Sequence, residues 1–339
     1  MKQRVLFIGD LDRTLPEYKA FLEKYECIDY RITTLEQLLE DFSTKFSDVV
    51  AIYGAWLGFV PIGGFKGKLL ENAPKSLKVI SICSVGYDNY DGPGLRSKNV
   101  VLTNVPSDGA AGPVADLVLY NTLESFRYFR GFEKSFRGCN NTIAARKNLD
   151  RDAAVFDSEQ GKMNAPVNDK RYGFGEKYAS RQVFNPGKHT ATIVGFGNIG
   201  RTIGQRLAAL GMKIQYVKRS PLSKDEESRL GYAVEYKKTV DDVTNTDLLV
   251  IACPATDETF HLINKDVIDN MENPFRIINI GRGSVIDEEA LVEGLKSGKV
   301  LFAGLDVFEK EPACHNELIG REDVVLTPHI GASTAENFD

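Results

Sequence analysis

The stretch Ala191-Thr192-Ile193-Val194-Gly195-Phe196-Gly197-Asn198-Ile199-Gly200 limits what this chain can fold into more than any other. A β-branched run meets three glycines spaced G-x-G-x-x-G, and apolar residues at Ile203, Leu207 and Leu210 continue at helical spacing. Strand, tight turn and helix therefore follow one another, and a second strand comes next at Met212 to Val217. Such a turn lets the backbone approach a pyrophosphate, and the helix N-terminus offers unpaired N–H groups and positive partial charge. Glycine-rich turns are common, and the spacing alone reads equally well as a plain tight turn. The flanking strands and helix favour a nucleotide-binding unit.

The same rhythm runs through the rest of the chain. Val- and Ile-rich runs at 4–9, 48–53, 78–83 and 100–103 alternate with helical stretches such as Leu15–Tyr25 and Leu35–Phe46. They predict a parallel, flavodoxin-like sheet with covered faces over residues 1–108. A long helical pattern spans 112–137, with Pro113 suited to its first turn. Residues 139–188 are polar and weakly periodic, and read as a long surface excursion rather than a third domain. From 191 onward, strands are expected at 191–195, 212–217, 247–252, 276–280, 300–305 and 324–327. Asp287 caps a helix over 288–297 and Gly298 ends it. The fold class predicted is α/β: two doubly wound parallel-sheet domains, the second (109–339) a Rossmann dinucleotide-binding domain.

Composition narrows the partners. The chain carries 42 Lys and Arg against 47 Asp and Glu, a net charge of −5, which argues against a nucleic-acid or anionic-membrane partner. No apolar run approaches the length of a bilayer span. Met1-Lys2-Gln3-Arg4 leads straight into a strand, without the apolar region of a signal peptide. The five cysteines (27, 83, 139, 253, 314) are scattered and form no CxxC pair. They read as reduced thiols of a cytoplasmic chain, with neither a disulfide framework nor a metal site.

Polar residues stand where the later strands end. Strand 276–280 runs into Gly281-Arg282-Gly283, where a guanidinium between glycines is either a surface charge or a carboxylate clamp. Strand 300–305 ends at Asp306-Val307-Phe308-Glu309-Lys310-Glu311-Pro312, whose acids taken alone read as solvated. The last strand ends at Thr327-Pro328-His329-Ile330-Gly331, and a lone histidine is more often structural than catalytic. Together, however, the three supply an anion clamp, a proton donor and an orienting carboxylate at the edge that carries the nucleotide turn. Ser84-Val85-Gly86-Tyr87-Asp88-Asn89 closes the strand at 78–83, at the end where open α/β sheets place ligands; a plain glycine turn is the alternative.

These segments, together with Asn279-Ile280-Gly281-Arg282-Gly283-Ser284-Val285-Ile286-Asp287, resemble the ordered signatures of the D-2-hydroxyacid dehydrogenase family. Within it, the chain is most similar to glyoxylate/hydroxypyruvate reductases of the fungal type. The resemblance implies that Arg282 holds the substrate's carboxylate and carbonyl oxygen. His329 would give that oxygen its proton as hydride reaches carbon. Glu311 would bond the other imidazole nitrogen and raise the histidine's pKa, Glu309 being two positions too early for that role. Asp306 matches the residue beside the nicotinamide ring, and amides near Val85 and Gly86 would receive the carboxylate. For the dinucleotide, the resemblance implies Gly195, Gly197, Asn198, Ile199 and Gly200 at the pyrophosphate. Cys253, Pro254, Thr259, Ile280, Gly281 and Gly331 would line it, beside Arg282, Asp306 and His329. No metal is implied, and the family is usually dimeric through its nucleotide domain, so a homodimer is expected.

Two features depart from that pattern. The chain stops at Asp339, ten residues after His329, where family members usually continue into a helix that crosses back to the first domain; either the sequence is truncated or that closing helix is missing. The stretch after the strand at 48–53 matches no single substrate class. Its Trp56, Leu57 and Phe59 would fill a pocket for two- and three-carbon acids, wall an aromatic substrate, or belong to the core.

Cofactor choice is read from the second strand of the nucleotide unit. An NAD site places an acid at its end, some 20 residues past the glycines. Here Lys218-Arg219-Ser220 stands instead, two cations and a hydroxyl suited to a 2′-phosphate. The expectation is therefore an NADPH-preferring reductase (NADH less favoured) of short 2-oxo acids, glyoxylate and hydroxypyruvate first. The same chemistry on a bulkier 2-oxo acid and a dinucleotide-sensing binding protein of the corepressor type stay open.

Overall fold

The computed structural model describes residues 2–9, 12–54, 58–149, 155–164 and 174–338. They divide into two units, Met1–Pro106 and Ser107–Asp339.

In the first unit the strands are β1 (Arg4–Ile8), β2 (Glu26–Tyr30), β3 (Ala51–Gly54), β4 (Val79–Ile82) and β5 (Val101–Thr103). They form one parallel sheet in the order β2-β1-β3-β4-β5, the flavodoxin-like arrangement. Between them run α1 (Pro16–Lys24), α2 (Leu35–Ser43), α3 (Lys68–Glu71) and α4 (Gly92–Ser97). Thr34 caps α2, accepting from the Gln37 amide, and Leu38 and Phe42 turn its apolar face into the core with Ile52 and Ile80. The strand β2 was not expected from sequence. Its Glu-Cys-Ile-Asp-Tyr mixes polar and apolar residues because it is an edge strand, half exposed.

The second unit opens with α5 (Asp108–Arg127), α6 (Phe129–Cys139) and α7 (Thr142–Leu149). Two short hairpins follow, β6 (Val155–Asp157) with β7 (Lys162–Asn164) and β8 (Lys177–Tyr178) with β9 (Arg181–Gln182). The main sheet contains β10 (Thr190–Val194), β11 (Lys213–Val217), β12 (Val234–Lys237), β13 (Leu248–Ile251), β14 (Phe275–Asn279), β15 (Val300–Leu305) and β16 (Val324–Leu326). Its order is β12-β11-β10-β13-β14-β15-β16, parallel throughout, the Rossmann arrangement with an added strand. The helices are α8 (Asn198–Ala209), α9 (Lys224–Leu230), α10 (Lys265–Asn270), α11 (Glu288–Ser297) and α12 (Ala335–Phe338). The central strands β13 and β14 are buried at every position, as a sheet covered on both faces requires. The edge strand β12, Val-Glu-Tyr-Lys, carries too mixed a pattern to be legible in sequence.

Two expectations for the helical region need correction. The long helix over 112–137 is two helices, broken where Tyr128 takes a left-handed φ of 53° and stacks on Tyr178 at 4.8 Å. The carboxylate of Glu124 accepts from the Arg130 amide at 3.1 Å and so caps the new start. Pro113 is the sixth residue of α5 rather than a first-turn residue, since that helix begins at Asp108.

The described part of 139–188 is likewise more than a surface excursion. Leu149, Phe156, Tyr178 and Ala179 form a satellite core with Tyr128. Buried Arg321, paired with Asp323, donates to the carbonyls of Ser158 (2.7 Å) and Glu159 (3.1 Å), and Arg181 donates to that of Leu301 (2.6 Å). These anchors lie more than a hundred residues from what they hold, which is why local periodicity missed them. Among the described residues no helix is long and apolar enough to cross a membrane, and no cluster of His, Cys, Asp and Glu fits a metal ion.

Candidate active site

Because every strand of the second sheet is parallel, the carboxyl ends of β10, β11, β13, β14, β15 and β16 share one edge. The glycine turn lies at the centre of it. Gly195 takes a φ of 94°, and a Cβ there would lie 2.6 Å from the Cys253 amide nitrogen; a Cβ on Gly200 would lie 2.2 Å from the Gly195 carbonyl oxygen. The first and third glycines are thus demanded by the protein's own backbone. Gly197 differs: its φ is −80° and a Cβ there would meet nothing within 4 Å. It opens the twelve-residue α8 with no side-chain cap. Open space in front of first-turn N–H groups at the positive end of a helix fits a dinucleotide pyrophosphate, which the Asn198 and Ile199 amides would hold. The Asn198 side chain itself donates to the Asp108 carboxylate at 2.7 Å.

Phe196 stacks on Tyr216 at 4.5 Å, and the tyrosines beneath organise the neighbouring loop. The Tyr236 hydroxyl donates to the Lys218 carbonyl (3.1 Å), while the Tyr216 oxygen accepts from the Leu222 amide (2.9 Å). The segment Lys218 to Leu222 is pinned at both ends, with Arg219 and Ser220 exposed between. Bonding to the Thr256 hydroxyl, and in lesser part the charge of Arg219, holds the Glu258 carboxyl below its usual range. At the end of β13, burial pushes the Cys253 thiol up to about 11. The Thr259 hydroxyl closes this loop on itself, donating to the Pro254 carbonyl at 2.8 Å and accepting from the Thr256 amide at 2.7 Å.

Arg282 is presented by a turn that buried Asn279 shapes. The Asn279 side chain accepts from the Gly281 amide (3.0 Å) and donates to the Arg282 carbonyl (2.9 Å). Ile280 packs at the rim of the core beneath it, its amide donating to the Ile251 carbonyl at 3.1 Å. Gly281 and Gly283 allow close approach. A Cβ on the former would lie 2.6 Å from the Cys253 carbonyl oxygen, and one on the latter 1.8 Å from the Phe308 carbonyl carbon. That second contact brings the Arg282 turn against the segment that carries Glu311.

His329 sits in the left-handed region, at φ 55°. A non-glycine residue there costs about 1–2 kcal/mol. Asp306, 3% exposed, supplies the hold: one oxygen accepts from the Thr327 hydroxyl (2.7 Å) and the Ile330 amide (2.9 Å), the other from the Gly331 amide (2.8 Å). Hydrogen bonds to a charged group contribute roughly 1.5–3 kcal/mol each, enough to fix the turn. The His329 Nδ1 meets a Glu311 carboxylate oxygen at 3.2 Å, and the other oxygen of Glu311 accepts from the Phe308 amide at 3.1 Å. The Glu311 bond raises the His329 pKa above its ordinary value, outweighing burial, while Arg282 opposes and Asp306 assists. Burial pushes the Glu311 carboxyl up, but His329, the Phe308 amide and the Arg282 charge together hold it below its usual range. With Nδ1 engaged, Nε2 is the nitrogen left to exchange a proton with a ligand.

The expected residues Arg282, Glu311, His329, Asp306 and Gly331 therefore stand together at the sheet edge that bears the glycine turn. Asn279, Tyr216 and Tyr236 were not foreseen; the one local signal was an asparagine closing a strand that is buried at every position. In the first unit, the Asn104 side chain donates to the Val85 carbonyl and the Ser84 hydroxyl to the Gly86 carbonyl, both at 2.7 Å, fixing that loop's peptide planes. Phe59 is core, 1% exposed and edge-on to Phe65 at 5.1 Å. Trp56 and Leu57 lie outside the described residues.

The NAD-binding domain of the D-isomer specific 2-hydroxyacid dehydrogenases matches residues 159–331. A Saccharomyces cerevisiae protein whose 2-hydroxyacid dehydrogenase name is itself provisional is 34% identical, over 95% of this chain and 85% of its own length. Among solved structures, the D-mandelate dehydrogenase of Rhodotorula graminis in its holo form aligns with a TM-score of 0.83 at 29% identity, covering 99% of this chain and 90% of the other. A glyoxylate reductase from Paecilomyes thermophila aligns with a TM-score of 0.81 at 26% identity, covering 99% and 91%.

Proposed function

The chain belongs to the D-isomer specific 2-hydroxyacid dehydrogenases, oxidoreductases with an NAD-binding domain, and on that premise we propose that it reduces a short 2-oxo acid, glyoxylate or hydroxypyruvate, to the D-2-hydroxy acid with NADPH. The observation that carries this reading is the His329–Glu311 pair beside Arg282 at the edge of the nucleotide turn. A bound nicotinamide would supply hydride. The chain's own groups do the rest. Arg282 holds the carboxylate and carbonyl oxygen and balances the negative charge that grows on that oxygen. Nε2 of His329 gives it a proton, and Glu311 stabilises the charged imidazole from Nδ1. Lys218, Arg219 and Ser220 bind the 2′-phosphate. In the first unit, the Val85 and Gly86 amides are assigned to a carboxylate.

A second copy of the chain is the proposed macromolecular partner, for which exposed Phe129 and Phe136 on α6 and Ile143 on α7 offer apolar surface. A cytoplasmic location is proposed with it, on the free cysteines.

The likeness to a D-mandelate dehydrogenase favours one second reading, the same chemistry on an aromatic 2-oxo acid. Cofactor oxidation with glyoxylate, hydroxypyruvate, phenylglyoxylate and 4-hydroxyphenylpyruvate decides between them. The short-acid reading expects the highest kcat/KM on the first two. A preference for phenylglyoxylate would replace it, and no turnover with any 2-oxo acid would end both.

A further inference from the structure

Two carboxylates that grip the Glu311 turn take no part in the chemistry above. Glu288, the first residue of α11, is only 6% exposed. One of its oxygens accepts from the Glu309 amide at 2.9 Å and the other from the His315 amide at 3.1 Å. It therefore holds the segment containing Glu311 at both ends. Glu309 returns the bond, accepting from the Glu288 amide at 3.2 Å. That amide is one of the donors a helix start leaves without an intrahelical partner; the next two are taken by the Asp287 cap. The His261 Nε2 lies 3.3 Å from a Glu309 carboxylate oxygen without hydrogen-bond alignment, with Asp287 at 4.0 Å from its Nδ1.

We infer, on the reading of His329 and Glu311 proposed above, that Glu288 and Glu309 form a reciprocal carboxylate clasp that sets where Glu311 stands and, through it, how tightly His329 holds its proton. The turn between them is closed by its own bond from the Ala313 amide to the Lys310 carbonyl (3.1 Å). Its seat on the helix start is the clasp. The contact transmitted has little slack: the Nδ1 to carboxylate distance is already 3.2 Å, and beyond ~3.5 Å it ceases to be a hydrogen bond. Water competes for it, since the His329 and Glu311 side chains are 48% and 39% exposed. The charges with the largest effect on His329 are those of Glu311, Arg282 and Asp306, and Glu288 reaches it through the position of Glu311. Glu288 and Glu309 are positioning residues.

The test is the pH dependence of carbonyl reduction in wild type, Glu288→Gln, Glu288→Ala, Glu309→Gln, Glu311→Gln and the Glu288→Gln/Glu311→Gln double variant. Folding is followed by circular dichroism and NADPH binding by fluorescence. Glutamine keeps the shape of Glu288 but turns an N–H donor toward one of the two amides. The single Glu288→Gln change should lower kcat by roughly tenfold or more, as a shift of a catalytic group does. It should move the high-pH limb of activity downward by at least ~0.5 pH units, toward that of Glu311→Gln. Binding of NADPH should change by less than about twofold. The double variant should show no limb shift beyond that of Glu311→Gln alone. A folded Glu288→Gln enzyme with its limb at the wild-type position overturns the clasp, and so does an additive double variant. If Glu311→Gln itself leaves the limb in place, the proposed proton chemistry fails first and the clasp with it. Should the alanine variant not fold, the glutamine variant decides.

Discussion

Replacing Gly197 by alanine separates what the glycine turn owes to folding from what it owes to its ligand. At φ −80° and ψ −158°, with nothing within 4 Å of the Cβ position, alanine fits the protein itself. Two small effects then oppose each other. Loss of a flexible glycine from the unfolded chain stabilises by about 0.4–1 kcal/mol. Alanine is a poorer helix N-cap than glycine by a comparable amount. The melting temperature should stay within about 3 °C of wild type. The ligand meets the methyl instead. A pyrophosphate seated on the Asn198 and Ile199 amides would be pushed off at least one charge-assisted hydrogen bond, about 1.5–3 kcal/mol, which weakens NADPH roughly 10- to 150-fold. Gly195→Ala and Gly200→Ala should behave in the opposite way. Their new Cβ atoms would lie 2.6 Å and 2.2 Å from backbone atoms, and the protein should lose stability before binding can be measured. Thermal melts and NADPH fluorescence titrations on the three purified variants are sufficient. A well-folded Gly197→Ala protein that binds NADPH as tightly as wild type would refute a pyrophosphate at this helix start.

The remaining predictions concern the reacting groups and the adenosine end. His329→Gln should cut the reduction rate by at least ~10²-fold in a stopped assay while leaving NADPH affinity nearly intact; an unchanged rate removes it from the mechanism. In the proposed mechanism, reduction needs protonated His329, whose pKa the Glu311 bond raises. Wild-type activity should therefore fade as pH rises through that raised value, and Glu311→Gln should move the fall to lower pH; a fall that stays put or moves up contradicts the pairing. Arg282→Lys keeps the charge but loses the planar fork, so initial-rate kinetics should show a higher KM for the oxo acid and a lower kcat. An enzyme indifferent to the change binds its carboxylate elsewhere. NADPH should be preferred over NADH by at least ~10-fold in kcat/KM, about 1.4 kcal/mol, and Arg219→Ala with Lys218→Asp should reverse the preference. Equal use of both cofactors by wild type would show that the Lys218–Ser220 loop does not read the phosphate.

Much of the site was legible from residues 191–200 and from the polar residues that end strands at 276–280, 300–305 and 324–327. A strand, a turn and a helix are written in short-range patterns, and parallel pairing then obliges every carboxyl end to share one edge. Arg282, an acid from the 306–311 segment and His329 could thus be placed together before any distance was known, and the family resemblance singled out Glu311 among those acids. The sequence missed the edge strands β2 and β12, because a half-exposed edge tolerates polar residues on either face. It missed the break at Tyr128, whose ring stacks on Tyr178 fifty positions away. It was also silent on which carboxylates hold the turns that carry Glu311 and His329. Asp306 grips the backbone around His329 from 24 and 25 residues upstream, and Glu288 grips the Glu311 turn from 21 and 27 residues away. Residue order carries propensity and period, which act within a few positions. The partner of a buried carboxylate is chosen by whichever backbone amides packing brings within hydrogen-bond distance, and only the tertiary structure decides that.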